Sequence, residues 1–194
     1  MKVYPKEFLL KDDTKVVIRP LLDEDYIFMR EFFSTIPRED LLICKDDVIR
    51  WESVENWFVH LSHERVTELV TLRKNEVVAK GTLHAQERYC SHAAELKLIV
   101  HPEYRGLGIG SLMFKLLFRE GLIYDFHKMI ARYFTDNLSF VNILSHYDFE
   151  PETMLQNYLL NEAADEWKDL VIASCNLHVR AVNLELQRHT ARLP

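Results

Sequence analysis

The chain has 194 residues, 48% of them hydrophobic and 28% charged, the balance of one globular domain long enough to bury a substantial core. A formal net charge of −6 argues against a nucleic-acid partner, which usually meets a basic surface. No apolar run approaches the roughly 20 residues that cross a bilayer, so no membrane partner is expected. Cys44, Cys90 and Cys175 are widely spaced and form no CxxC pair. They read as buried or free thiols in a reducing compartment rather than a disulfide framework or a metal site. The opening Met1-Lys2-Val3-Tyr4-Pro5-Lys6-Glu7 lacks the apolar core of a secretory signal, and the expected location is the cytoplasm.

In chain order, Thr14-Lys15-Val16-Val17-Ile18-Arg19-Pro20 is rich in β-branched residues and reads as a first strand stopped by proline. Asp23 is placed to cap a helix through Phe28, Met29, Phe32 and Phe33 to Ile36, with Pro37 ending it. Asp46 or Asp47 opens a second helix whose apolar face holds Val48, Ile49, Trp51, Val54, Trp57, Phe58 and Leu61. Strands follow from Val66 to about Arg73 and from Glu76 to about Arg88, joined by Lys74-Asn75, and a third from about Ala93 to Val100. After a glycine-rich loop comes a helix from Ser111 to about Leu122, then a strand from Lys128 to Phe134 and a helix from Asp136-Asn137 to about Tyr147. Met154–Leu160 and Lys168–Ser174 read as the last two strands. No repeat, low-complexity tract or linker divides the sequence. Residues 1–175 are therefore read as one domain, and 176–194 as a tail whose Leu177, Val179, Val182, Leu184, Leu186 and Leu193 suit an extra helix.

Only five glycines serve the chain, and three fall in Gly106-Leu107-Gly108-Ile109-Gly110, between a strand and a helix. Glycines at such a junction let backbone N–H groups turn toward an anion, with the positive end of the helix dipole behind them. The spacing is not the dinucleotide G-x-G-x-x-G, because the third glycine comes one position early. Nor is it a nucleotide P-loop, because Ser111-Leu112 follows where Lys-Ser/Thr is required. What remains is R-x-x-G-x-G, formed by Arg105, Gly108 and Gly110 behind Leu96-Lys97-Leu98-Ile99-Val100-His101-Pro102.

This loop, with its flanking strand and helix, resembles the pyrophosphate loop of the GCN5-related N-acetyltransferase (GNAT) family, which binds acetyl-CoA. The element order β-α-α-β-β-β-α-β-α-β-β over Val16 to Ser174 is similar to that family's fold. The resemblance implies an α/β (α+β) fold: a mixed, mostly antiparallel central sheet flanked by helices, with an acetyl-CoA cleft between splayed central strands. It implies that Leu98, Ile99 and Val100 offer main-chain groups to the pantetheine arm. Backbone amides of Arg105, Gly106, Leu107, Gly108, Ile109 and Gly110 would hold the pyrophosphate, and Ser111 would add a hydroxyl. The Arg105 side chain either reaches a phosphate or anchors the loop on backbone carbonyls. A second signature runs from Asn137 to Phe149, and Asn137 either caps a helix, hydrogen-bonds the cofactor, or does both. Two positions depart from the family: Leu144 stands where a tyrosine often protonates the leaving thiolate, and Asp148 replaces a glycine. Tyr147 is too far along the helix to inherit the role.

Attack of an amine on a thioester needs a proton acceptor and an oxyanion donor. The Leu98 or Ile99 amide suits the donor. Glu95 is the candidate base, in an Ala-Glu strand context similar to that of protein-lysine acetyltransferases; the alternative is a glutamate paired with Lys97 or a neighbour on a solvated strand face. His84, His92 and His101 are weaker candidates, and Glu87 is read as a strand-end surface charge, with binding of an amine substrate as the alternative. The expected activity is acetyl transfer from acetyl-CoA to an amine, on a small molecule or a protein lysine, with no metal. The opening strand and helix resemble the GNAT module of bacterial protein-lysine acetyltransferases. An acyl-CoA-binding regulatory module without turnover is the alternative, and the last strands and tail are candidate surfaces for a homodimer.

Overall fold

The computed structural model describes residues 4–41, 66–161 and 164–177. Among them are eight strands: β1 (Lys6–Leu9), β2 (Lys15–Pro20), β3 (Val66–Arg73), β4 (Glu76–Ala85), β5 (Ala93–Val100), β6 (Lys128–Phe134), β7 (Glu150–Asn161) and β8 (Glu166–Asn176). Four α-helices accompany them: α1 (Tyr26–Thr35), α2 (Arg38–Leu41), α3 (Ile109–Ile123) and α4 (Leu138–Ser145). Hydrogen bonding links the strands into one mixed, mostly antiparallel sheet in the order β1-β2-β3-β4-β5-β6-β8-β7. The expected helix over 46–61, with Trp51 and Trp57, lies outside the described residues, as does the tail beyond Leu177. The chain forms two compact units, Met1–Leu83 with Lys97–Leu117, and His84–Leu96 with Phe118–Pro194.

In the first unit, β1 pairs antiparallel with β2 from Lys6↔Ile18 to Leu9↔Lys15, and β2 pairs antiparallel with β3 from Val17↔Leu72 to Pro20↔Leu69. The β1–β2 turn closes on Asp12, whose carboxylate accepts hydrogen bonds from the Thr14 amide at 3.1 Å and hydroxyl at 2.9 Å. The apolar spacing read as a helix becomes α1, and its Met29, Phe32 and Phe33 form a core with Leu21, Ile36, Leu41, Val70 and Val77. Burying each such side chain contributes about 1.5–3 kcal/mol.

The helix start differs from the expected cap. Asp23–Asp25 form a 3-10 turn, and no side chain caps α1. Asp25, 1% exposed, instead receives Arg19 through two contacts of 2.6 and 2.7 Å and the Leu22 amide at 2.8 Å. Burial pushes the Asp25 carboxyl up, but the hydrogen bonds from Arg19 and Leu22 and the Arg19 charge outweigh it and hold it below the ordinary value.

Gly81 marks where α3 lies directly on β4. A Cβ there would stand 2.8 Å from Leu117 Cδ1 and 3.2 Å from Met113 Cε, so a larger residue would make these side-chain ends shift.

In the second unit, β5 pairs parallel with β6 over four positions, from Ala93↔Lys128 to Leu96↔Ala131. Antiparallel pairing joins β6 to β8 from Lys128↔Asn176 to Phe134↔Leu170. The β7–β8 hairpin carries irregularities at Pro151/Thr153 and Leu155/Leu159. α4 buries Leu144 and ends where Asp148, at φ 56°, takes the left-handed conformation usually left to glycine. A short polar side chain tolerates that conformation, which is why aspartate serves at this helix end.

Candidate active site

The loop is built from the end of β5 onward. His101 donates its amide to the Val78 carbonyl at 2.9 Å, and its Nδ1 accepts the Glu103 amide at 3.3 Å, capping the 3-10 turn Pro102–Tyr104. That hydrogen bond gives His101 a structural task. The Arg105 amide donates to the Pro102 carbonyl at 3.2 Å. Gly106 and Gly108 then take φ of 76° and 96°, and α3 begins at Ile109.

A Cβ at Gly106 or Gly108 would meet nothing within 4 Å, so backbone conformation, not crowding, requires glycine there. The open space beside both residues is what a close-lying ligand needs. Among the described residues none accepts a hydrogen bond from the amides of Gly106, Leu107 or Gly108. The amides of Ile109, Gly110 and Ser111 open a 15-residue helix, where N–H groups lack intrahelical acceptors and the dipole is positive. These donors follow one another along one stretch of chain, an arrangement that suits an anion.

Arg105 does not extend from this loop as an unengaged cation. Its Nε donates to the Val100 carbonyl at 3.1 Å, and its Nη2 meets Asp40 Oδ2 at 2.6 Å. Of its two expected roles, this geometry is that of a loop anchor. Further ties hold the segment: the Lys11 amide donates to the Leu107 carbonyl at 3.4 Å, and Arg73 Nη1 donates to the Tyr104 hydroxyl at 2.8 Å. The ties from Asp40, Lys11 and Arg73 were not legible in the sequence, because contacts between segments far apart in the chain leave no local pattern.

Leu98, Ile99 and Val100 are half-buried and continue β5 beyond its last pair with β6, Leu96↔Ala131. Ile99 packs against the α1 core.

In the second unit, Glu95 is 3% exposed, with Arg132 Nε 3.6 Å from its Oε1. The carboxylate therefore lies in the interior, not on the solvated strand face of the alternative reading. A separation of 3.6 Å is charge proximity rather than a hydrogen bond. Asn137 Oδ1 accepts the Phe140 amide at 3.2 Å, which makes it the cap of α4. Leu144 is 3% exposed and packed, and Tyr147 packs against Phe118 with tilted rings, 4.8 Å between centroids. His84, Glu87 and His92 are exposed. Among the described residues no group of three or more His, Cys, Asp or Glu side chains has the arrangement of a metal site. No helix among them is long and apolar enough to cross a membrane.

The family model for acetyltransferases (GNAT) matches residues 26–143. Among solved structures, an N-acetyltransferase from Staphylococcus aureus Mu50 is similar at TM-score 0.70 and 17% identity, over 84% of this chain and 98% of that one. A ribosomal-protein-alanine N-acetyltransferase from Brucella melitensis gives 0.68 and 19%, over 82% and 98%. The protein yncA from Salmonella typhimurium, solved with its cofactor acetyl-CoA, gives 0.69 and 17%, over 84% and 94%. At these identities the likeness is one of fold. No curated protein matches the sequence significantly. The family match spans more than half of the chain and the fold agrees with it: the chain belongs to the acetyltransferase (GNAT) family.

Proposed function

We propose that this acetyltransferase holds acetyl-CoA by its diphosphate on the loop from Gly106 to Ser111 and passes the acetyl group directly to an amine, with both substrates bound together. The observation that carries the reading is the pair of left-handed glycines, φ 76° and 96°, leading into α3 beside open space. Bound there, acetyl-CoA supplies an activated acetyl group as a thioester. The amides of Gly106 to Gly110 and the Ser111 hydroxyl grip the diphosphate, and the main chain of Leu98, Ile99 and Val100 pairs with the pantetheine arm. The Leu98 or Ile99 amide stabilises charge on the carbonyl oxygen. The Asn137 side-chain amide nitrogen contributes a donor while its oxygen caps α4.

Glu95 accepts the proton that the acceptor ammonium loses, at its carboxylate, directly or through one water. Its burial supports the role, since a carboxylate held inside the protein is shielded from competing solvent. With leucine at 144, no side chain there protonates the leaving thiolate. A thiol of pKa about 8.5 departs near neutral pH without one. The acceptor class is an amine, on a small molecule or a protein lysine; the Brucella structure belongs to a ribosomal-protein-alanine acetyltransferase.

Thiol release from acetyl-CoA with a panel of amines and lysine peptides tests the reading. Turnover with at least one acceptor is expected, and Glu95→Gln should lower kcat roughly a hundredfold or more while acetyl-CoA still binds. Full turnover in Glu95→Gln would remove the base. Binding without release for every acceptor would favour a regulatory acyl-CoA-binding module, a reading that the missing tyrosine at 144 supports.

A further inference from the structure

Arg105 begins the glycine loop, yet its guanidinium is committed at two points of the first unit. Nε is pinned to the Val100 carbonyl at 3.1 Å, and Nη2 to Asp40 Oδ2 at 2.6 Å. These contacts fix the plane of the group, because guanidinium donors have a rigid geometry. Asp40 is itself held: it lies in α2, its amide donates to the Pro37 carbonyl at 3.0 Å, and the next residue, Leu41, sits in the α1 core at 5% exposure. The brace thus runs from a packed core, through one carboxylate, to the first residue of a loop whose two left-handed glycines have unusual freedom in the unfolded chain.

The charge arithmetic points the same way. Asp40 already partners the Arg105 charge and, with the Val100 carbonyl, occupies two of its five N–H donors, whereas the amides of Gly106 to Gly108 have no competing acceptor among the described residues.

We propose that Asp40 is a positioning residue for cofactor binding: it holds Arg105 as a brace that presets the loop, so the diphosphate is gripped by backbone amides and not by the arginine. This rests on the reading that the loop holds the diphosphate of acetyl-CoA. Presetting lowers the ordering cost of binding, so its loss should appear in affinity for that carrier. The pair is partly exposed, at 47% for Arg105 and 29% for Asp40, so its loss should move Tm little.

The test is calorimetry with acetyl-CoA on the unaltered protein, Asp40→Asn, Arg105→Ala and the double variant. It is combined with kcat/KM for S-acetylpantetheine, a thioester donor that lacks the diphosphate. Each single variant should raise Kd about three- to tenfold, and the double variant no further than the worse single one, because both remove the same brace. Asp40→Asn should lose more kcat/KM with acetyl-CoA than with S-acetylpantetheine, by about the factor lost in Kd.

A large loss in Arg105→Ala with none in Asp40→Asn would make Arg105 a direct phosphate ligand and overturn the proposal. Additive losses would do the same, as would an equal loss with the truncated donor. Failure of the unaltered protein to bind acetyl-CoA would instead overturn the cofactor reading, and is seen before any variant is compared.

Discussion

Cys175 sits in β8 at 2% exposure, and burial, with the Glu150 charge adding to it, pushes its thiol up to about 11. A thiol so placed has almost no thiolate at moderate pH and no path to a reagent. Cys90, in the turn between β4 and β5, is exposed. Iodoacetamide near pH 8 should therefore modify Cys90 in peptide mapping and leave Cys175 unmodified until denaturant is added. Equal labelling of both in the native protein would contradict this placement. The sequence already argued that these thiols hold no metal or disulfide, but only the packed structure separates the inert one from the accessible one.

Arg19 and Asp25 tie the end of β2 to the start of α1. Because the Asp25 carboxyl lies below its ordinary value of 3.8 in the folded chain, its stabilisation is fully present above that value. It is lost as pH falls through the lower folded-state value. Asp25→Asn should reduce unfolding free energy by roughly 3 kcal/mol near neutral pH, since it leaves Arg19 without its buried partner. Chemical denaturation should show the gap from the unaltered protein narrowing at strongly acidic pH, and a gap that stayed constant would refute the linkage. At this scale the sequence was most readable where alternation or helical spacing was sustained, as in β3, β5, β6 and α1. It was least readable in short or atypical elements. β1 has only four residues and α2 a single turn, too little for a periodic signal. β7 begins at Glu150, ahead of the expected Met154, because an edge strand accommodates Pro151 and its polar neighbours. β4 ends at Ala85, before the expected Arg88, where Arg88–Cys90 wind into a 3-10 turn.

For the molecule as a whole, family and fold were legible because this chain concentrates three of its five glycines between one strand and one helix. The roles around that loop were less so. Arg105 could be read as ligand or anchor, and the anchor reading proposed above rests on Asp40, which is 65 positions away in the chain. The acceptor was not legible, because amine recognition has no short spacing comparable to R-x-x-G-x-G. The acetyl-CoA reading therefore stands on backbone geometry between positions 106 and 111. Titration calorimetry of acetyl-CoA against the unaltered protein and Gly108→Val tests it most directly. Valine at a φ of 96° is strained by about 1–3 kcal/mol and would reshape the loop. The account predicts one-site binding by the unaltered protein and a Kd raised about tenfold to a hundredfold in the variant. No heat of binding with the unaltered protein, or equal affinity in the two, would contradict it.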